Sequence, residues 1–162
     1  MNYLLSLILL NPLEALVIIL GCDIVSGIEF DFKKDIKYIY LLSSINFIIQ
    51  VLLNLLNYNI FSLFLNIIIP FLIAPLVIKM IYNQYIGYIK YYQALIIQIF
   101  YMTTMTLVIV IFNCIFDNKI YTTQYINIIA DIIVNISKTI FQLLLLNIYR
   151  RIISNEECKR NS

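Results

Sequence analysis

The chain has 162 residues, 62% of them hydrophobic and 12% charged, with a mean hydropathy of +0.92 and a net charge of +2. A soluble domain of this size needs far more polar surface, and so small and scattered a charge makes no nucleic-acid surface. The absence of His removes the commonest general base, metal ligand and phosphoacceptor together. The bias toward Ile, Asn, Lys, Tyr and Phe is that of an AT-rich genome, so single Asn residues carry little weight.

Five apolar stretches, roughly 3–24, 38–57, 60–82, 93–116 and 126–148, fill the chain. A crossing of the hydrocarbon core takes about 20 residues. The pattern predicts an all-α polytopic transmembrane bundle of about five helices over 1–150, with a short cytoplasmic tail at 151–162. Nine of the eleven Lys and Arg residues fall in alternate segments: Lys33, Lys34 and Lys37, then Lys79 and Lys90, then Arg150, Arg151, Lys159 and Arg160. The intervening segments hold only Lys119. This positive-inside bias puts the N-terminus outside and the C-terminus in the cytoplasm of a bacterial cell membrane.

In the third stretch Pro70 and Pro75 remove backbone donors, which predicts a bend and exposed carbonyls at Asn66 and Phe71. The run Tyr82, Tyr85, Tyr88, Tyr91 and Tyr92 beside Gly87 and Lys90 reads as an aromatic belt at the inner interface.

Ionisable side chains at bilayer depth are costly and need a partner in the protein. Glu14, Asp131 and Lys138 are the cases here. Glu14 and Lys138 lie at the same depth on helices predicted to run in the same direction, about 17 Å below their starts, and carry opposite charge. The expectation is an ion pair between the first and fifth helices, with Asp131 as the rival partner for Lys138. Asn127, Asp131, Asn135, Lys138 and Gln142 recur at helical spacing, as do Ser43, Asn46, Gln50, Asn54 and Asn57 on the second helix. Two readings stand: interhelical contacts, or a partly hydrated pocket at the centre of the bundle.

Several motifs are excluded. Ile19-Leu20-Gly21-Cys22 looks like a lipoprotein cleavage box, but no basic residue precedes the apolar segment. Lipidation would also put Cys22 outside, beside lysines assigned to the cytoplasm. Cys22, Cys114 and Cys158 sit at separate depths, which excludes a disulfide or a metal cluster. A cysteine peptidase lacks its base, and an intramembrane aspartyl protease lacks its second deep aspartate. The expectation is a protein that is not an enzyme and has no cofactor and no metal.

The opening Asn11-Pro12-Leu13-Glu14-Ala15-Leu16-Val17-Ile18-Ile19-Leu20, the short basic segment and Asn46-Phe47-Ile48-Ile49-Gln50 resemble the membrane-sensor domain of accessory-gene-regulator (AgrC) type peptide receptors. The resemblance covers 1–150 at most. Eleven residues follow Arg151, so the histidine kinase of those receptors is expected to be absent. What the resemblance implies is an orphan quorum-sensing signalling module that binds a peptide or apolar ligand, or pairs with another membrane receptor. Asp23-Ile24-Val25-Ser26-Gly27 before a basic segment is similar to holins, and length and helix count are similar to substrate-binding subunits of vitamin transporters. A transporter subunit or a pore is therefore the alternative.

Overall fold

The computed structural model describes the backbone of residues 2–55, 68–115 and 124–160, and the side chains of 11–49, 51–52, 68–69, 71–112, 114 and 132–153. Within those limits the chain is all-helical: α1 (Asn2–Ser26), α2 (Phe32–Leu55), a π-helical turn (Ile69–Ile73) leading into α3 (Ala74–Tyr85), α4 (Tyr91–Ile115) and α5 (Gln124–Arg160). Among the described residues two segments, Tyr91–Phe112 and Ile132–Ile153, are long and apolar enough to cross a membrane.

Helix α1 is the centre of the bundle. It packs against α2, α4 and α5, and none of its residues from Asn11 to Ser26 is exposed. Its apolar residues are spread around all faces, as a helix surrounded by others requires, with Asn11, Glu14 and Asp23 set among them. Its neighbours are one-sided in the opposite sense to a soluble protein. On α5, Ile133, Ile136, Ile140, Leu144, Ile148 and Ile152 are exposed, whereas Lys138 and Gln142 are buried. On α4, Ile96, Leu107 and Val110 face out while Gln98, Tyr101 and Thr104 face in.

Exposed hydroxyls on these outer faces return to their own helix. Ser44 donates to the Tyr40 carbonyl at 2.8 Å, Thr103 to Ile99 at 2.9 Å and Thr106 to Met102 at 2.9 Å. Each of these hydroxyls is thereby satisfied within its own helix.

Three of the described helix ends are closed by local chemistry. At the C-terminus of α1, Gly27 has φ +67°. Its N–H donates to the Ile24 carbonyl at 3.3 Å, and that of Ile28 to Asp23 at 2.9 Å, which is the Schellman arrangement. Asp31 caps α2 by accepting from the Lys33 N–H at 3.0 Å, and buried Asp35 accepts from the Asp31 N–H at 2.9 Å. Gln93 reaches back to the Lys90 N–H at 2.9 Å at the start of α4, one arm of a capping box.

The prolines of the third stretch lie in and just after a π-helical turn. Pro70 opens a π-helical turn, closed by the Ala74 N–H on the Ile69 carbonyl. Tyr91 Oη donates to the Phe71 carbonyl at 3.0 Å, so the acceptor that Pro75 leaves free is met from α4. Asn66 lies outside the described residues.

Other boundaries differ from the sequence reading. Helix α2 begins at Phe32, so Lys33, Lys34 and Lys37 occupy its first turns, because the Asp31 cap starts the helix before the apolar run begins. Helix α5 does not stop at 148 but continues through the expected tail to Arg160, since nothing from Asn147 to Arg160 is a Gly or Pro that would end it. Tyr82, read as part of the aromatic belt, is fully buried, whereas Tyr85, Tyr88 and Tyr92 are exposed.

Replacing Gly27 by Ala forces a side chain into the left-handed conformation that closes α1. A loss of about 1–2 kcal/mol is expected. Chemical or thermal unfolding of the purified protein measures it, and an unchanged midpoint would mean that the Schellman turn is dispensable.

Candidate functional site

The interior of the bundle holds a connected set of polar side chains. Lys138 is 1% exposed on the inward face of α5. Its Nζ donates to Glu14 Oε1 of α1 at 2.8 Å, to Asn135 Oδ1 one turn back at 2.9 Å and to Tyr101 Oη of α4 at 3.2 Å. An ammonium has three N–H donors, and all three are used. The ring centroid of Tyr101 is 5.2 Å from Nζ, so the hydroxyl is the nearer contact.

One turn further along α5, Gln142 is completely buried. Its Nε2 donates to the Tyr101 carbonyl at 3.1 Å and to Thr104 Oγ1 at 2.7 Å. Thr104 Oγ1 in turn lies 2.7 Å from the Phe100 carbonyl and 3.0 Å from that of Tyr101. Tyr101 is thus the node between two α5 side chains: hydroxyl to Lys138, backbone to Gln142.

A cavity of ≈ 140 Å³ opens where α1, α2, the π-helical turn, α3 and α4 meet. Its polar wall is Glu14, Asn46, Gln98 and Tyr101, and its apolar wall includes Ile18, Leu42 and Ile78. Gln98 is 7% exposed, and its Oε1 has no hydrogen-bond partner among the described residues.

A second buried polar contact lies where α1 meets α3: Tyr82 Oη donates to Asp23 Oδ1 at 2.8 Å. The stack of Tyr38 on Tyr85, centroids 4.9 Å apart, ties α2 to α3.

Of the residues singled out from sequence, the structure brings Glu14, Asn135 and Lys138 into one cluster, adds Gln142 through Tyr101, and sets Asn46 on the cavity wall beside Glu14. Pro75 is buried at the start of α3. The side chains of Gln50, Asn54, Pro70, Asn127 and Asp131 lie outside the described ones. Cys22 is buried and Cys114 exposed, both as free thiols. No group of three metal-ligating side chains occurs among the described residues.

Sequence reasoning missed Gln98, Tyr101 and Thr104. Their spacing of three marks one face of α4, a signal of the same kind as the one used on α2 and α5. A comparison with known protein families, characterised proteins and solved structures finds no match.

The Glu14–Lys138 contact generates a double-mutant cycle. Glu14→Gln and Lys138→Gln each leave the other charge buried, and each is expected to cost about 3–5 kcal/mol. The double variant should lose clearly less than the two losses added. Strict additivity would show that the pair contributes no coupling. Tyr101→Phe takes away one acceptor of a charged group, for which about 1.5–3 kcal/mol is expected in the same unfolding assay.

Proposed function

We propose that this chain is a non-enzymatic, multi-pass protein of the bacterial cell membrane, crossing it five times with the N-terminus outside and the C-terminus in the cytoplasm. It acts as a sensor-like or interaction module for a peptide or apolar ligand, or for a partner membrane receptor. The observation that carries the reading is the inversion of α5: Lys138 and Gln142 are buried, while an aliphatic face from Ile133 to Ile152 is exposed. Burying an ammonium while exposing aliphatic side chains to water is unfavourable twice over. Exposing them to lipid removes the second cost and makes the first the normal arrangement.

A relay is favoured over a passive anchor by the length of α5. Its 37 residues make a rod of about 55 Å, longer than the ~30 Å hydrocarbon core. The Lys138 cluster grips this rod inside the bundle, so a change at Glu14 or Tyr101 is transmitted to an unbroken helix ending at Arg160. The resemblance of 11–20 and 46–50 to AgrC-type sensor domains agrees with such a role. The rival reading, a small transporter subunit, draws support from the cavity of ≈ 140 Å³ beside Glu14, whose wall combines polar and apolar side chains.

Single cysteines introduced into a chain lacking Cys114 and Cys158 test the topology. Labelling of intact cells should modify Asn59→Cys and Thr122→Cys, two positions outside the described residues, and spare Lys34→Cys until the cells are permeabilised. The reverse pattern would overturn the orientation. Solute uptake by liposomes carrying the purified chain, above that of empty ones, would favour the transporter reading.

A further inference from the structure

A groove of ≈ 370 Å³ lies where α1, α4 and α5 meet, on the side of α1 away from Tyr82 and Asp23. Its lining includes the bare backbone of Gly21, where a Cβ would stand 3.1 Å from Ile97 Cγ2 of α4 and 3.9 Å from Leu146 Cδ2 of α5. Val25, Phe100 and Leu145 also line it. Ile96 and Tyr149, in the same lining, are exposed, so the groove opens on the outer surface of the bundle. Its dimensions exclude a partner helix: the lining spans one turn of each helix, 21–25, 96–100 and 145–149, or about 6 Å, whereas a docked amphipathic helix seats anchors over two turns. A hydrocarbon chain is not so limited. A cavity of about 150 Å³ takes benzene, so this groove has room for roughly a dozen acyl carbons by the same measure.

Charge at one end says what the chain is attached to. Arg150 follows Leu146 by four residues and so lies on the groove side of α5, about 6 Å nearer its C-terminal end. It is exposed, and so is Lys90, which directly precedes α4 at the same end of the bundle. Arg151 falls on the far side of α5 by the same spacing. No carboxylate occurs in Tyr91–Ile115 or in Ile132–Ile153, and Asp23 on α1 is buried against Tyr82 of α3. An apolar groove that ends in a tyrosine hydroxyl and two cations complements a phosphate on a hydrocarbon tail. On the topology proposed above this end faces the cytoplasm, where basic pockets between helices meet anionic headgroups and a guanidinium suits a phosphate.

We propose that this groove holds one anionic phospholipid of the cytoplasmic leaflet, its acyl chain against Gly21, Val25 and Phe100 and its phosphate on Arg150 and Lys90, with Tyr149 at the boundary. The proposal rests on the membrane reading above, and the two fail differently. Release of the chain from membranes by alkaline carbonate would end both, whereas loss of the lipid preference with the chain retained in membranes would end only the lipid site.

The test uses the full chain in a neutral detergent, mixed with equal amounts of phosphatidylglycerol and phosphatidylcholine bearing the same acyl chains. Native mass spectrometry counts the lipid retained per chain. One phosphatidylglycerol should be retained, with a preference of about tenfold over phosphatidylcholine. Arg150→Gln should cut that preference about fivefold, whereas Arg151→Gln, the same change of charge on the far side of α5, should leave it in place. Val25→Phe, which fills the groove, should bring phosphatidylglycerol down to the level of phosphatidylcholine, and Arg150→Gln at its exposed site serves if that variant does not fold. Glycerol 3-phosphate, the anion without an acyl chain, should not displace the lipid. Equal retention of the two lipids, equal effects of Arg150→Gln and Arg151→Gln, undiminished retention in folded Val25→Phe, or displacement by glycerol 3-phosphate would each overturn the proposal.

Discussion

The arrangement of the bundle depends on one buried ammonium. Lys138 has three donors, and the structure supplies three acceptors from three different sources: Glu14 on α1, Tyr101 on α4 and Asn135 on its own helix. Removing any of these leaves a donor of a charged group without a partner in a site that is 1% exposed. The penalty for that is larger than the gain from an ordinary hydrogen bond. The ammonium therefore acts more as a constraint than as a source of stability: arrangements that separate α1, α4 and α5 are excluded because they strand a charge. Replacing a well-paired buried ion pair by apolar side chains is often neutral in stability, so what the pair contributes here is the choice of neighbours.

That choice matters because apolar burial cannot make it. Helices α2, α4 and α5 carry aliphatic side chains inside and outside alike, and in lipid there is no hydrophobic gain from turning one apolar face inward over another. On the membrane reading, specificity must come from polar contacts and close packing. The described contacts are distributed accordingly. Lys138 and Gln142 join α5 to α1 and α4, Tyr82 joins α3 to Asp23 on α1, and Tyr91 joins α4 to the freed carbonyl of Phe71. Packing adds its own selection at Gly21, where a Cβ would stand 3.1 Å from Ile97 Cγ2, so α1 and α4 approach as closely as the missing side chain allows. A central α1 with no exposed residue from Asn11 to Ser26 is the geometric result.

The helical class was legible because apolar runs of this length leave few other structures. The Glu14–Lys138 contact was legible from depth and sign, since a charge in an apolar helix has to meet another and rise per residue fixes where it lies. Tyr101 was not, because a tyrosine in an apolar helix looks like any other aromatic packing residue until its hydroxyl and carbonyl are seen to take different partners. Tyr82 was misread for a related reason: aromatic clusters near a helix end suggest an interface, and only the position of Asp23 on another helix turns one of them inward. The ends of α2 and α5 followed local capping and the absence of breakers, which an apolar window does not register. The two prolines marked the place where the backbone departs from a regular α-helix, but the π-helical form of the departure and the Tyr91 hydroxyl that meets the Phe71 carbonyl are not written in the proline spacing.

Glu14 belongs to both halves of the interior. One oxygen holds Lys138, and the residue also lines the cavity with Gln98 and Asn46. The carboxylate that ties α5 to α1 is thus also the charged group of the cavity wall, and the two roles cannot be altered independently. A substitution at Glu14 removes the partner of a buried ammonium and changes the polarity of the cavity in one step. Gln98 and Asn46 are separable from the tie, because neither is among the acceptors of Lys138. The polar interior therefore divides at Glu14 into a part that fixes which helices are neighbours and a part that only lines the space between them.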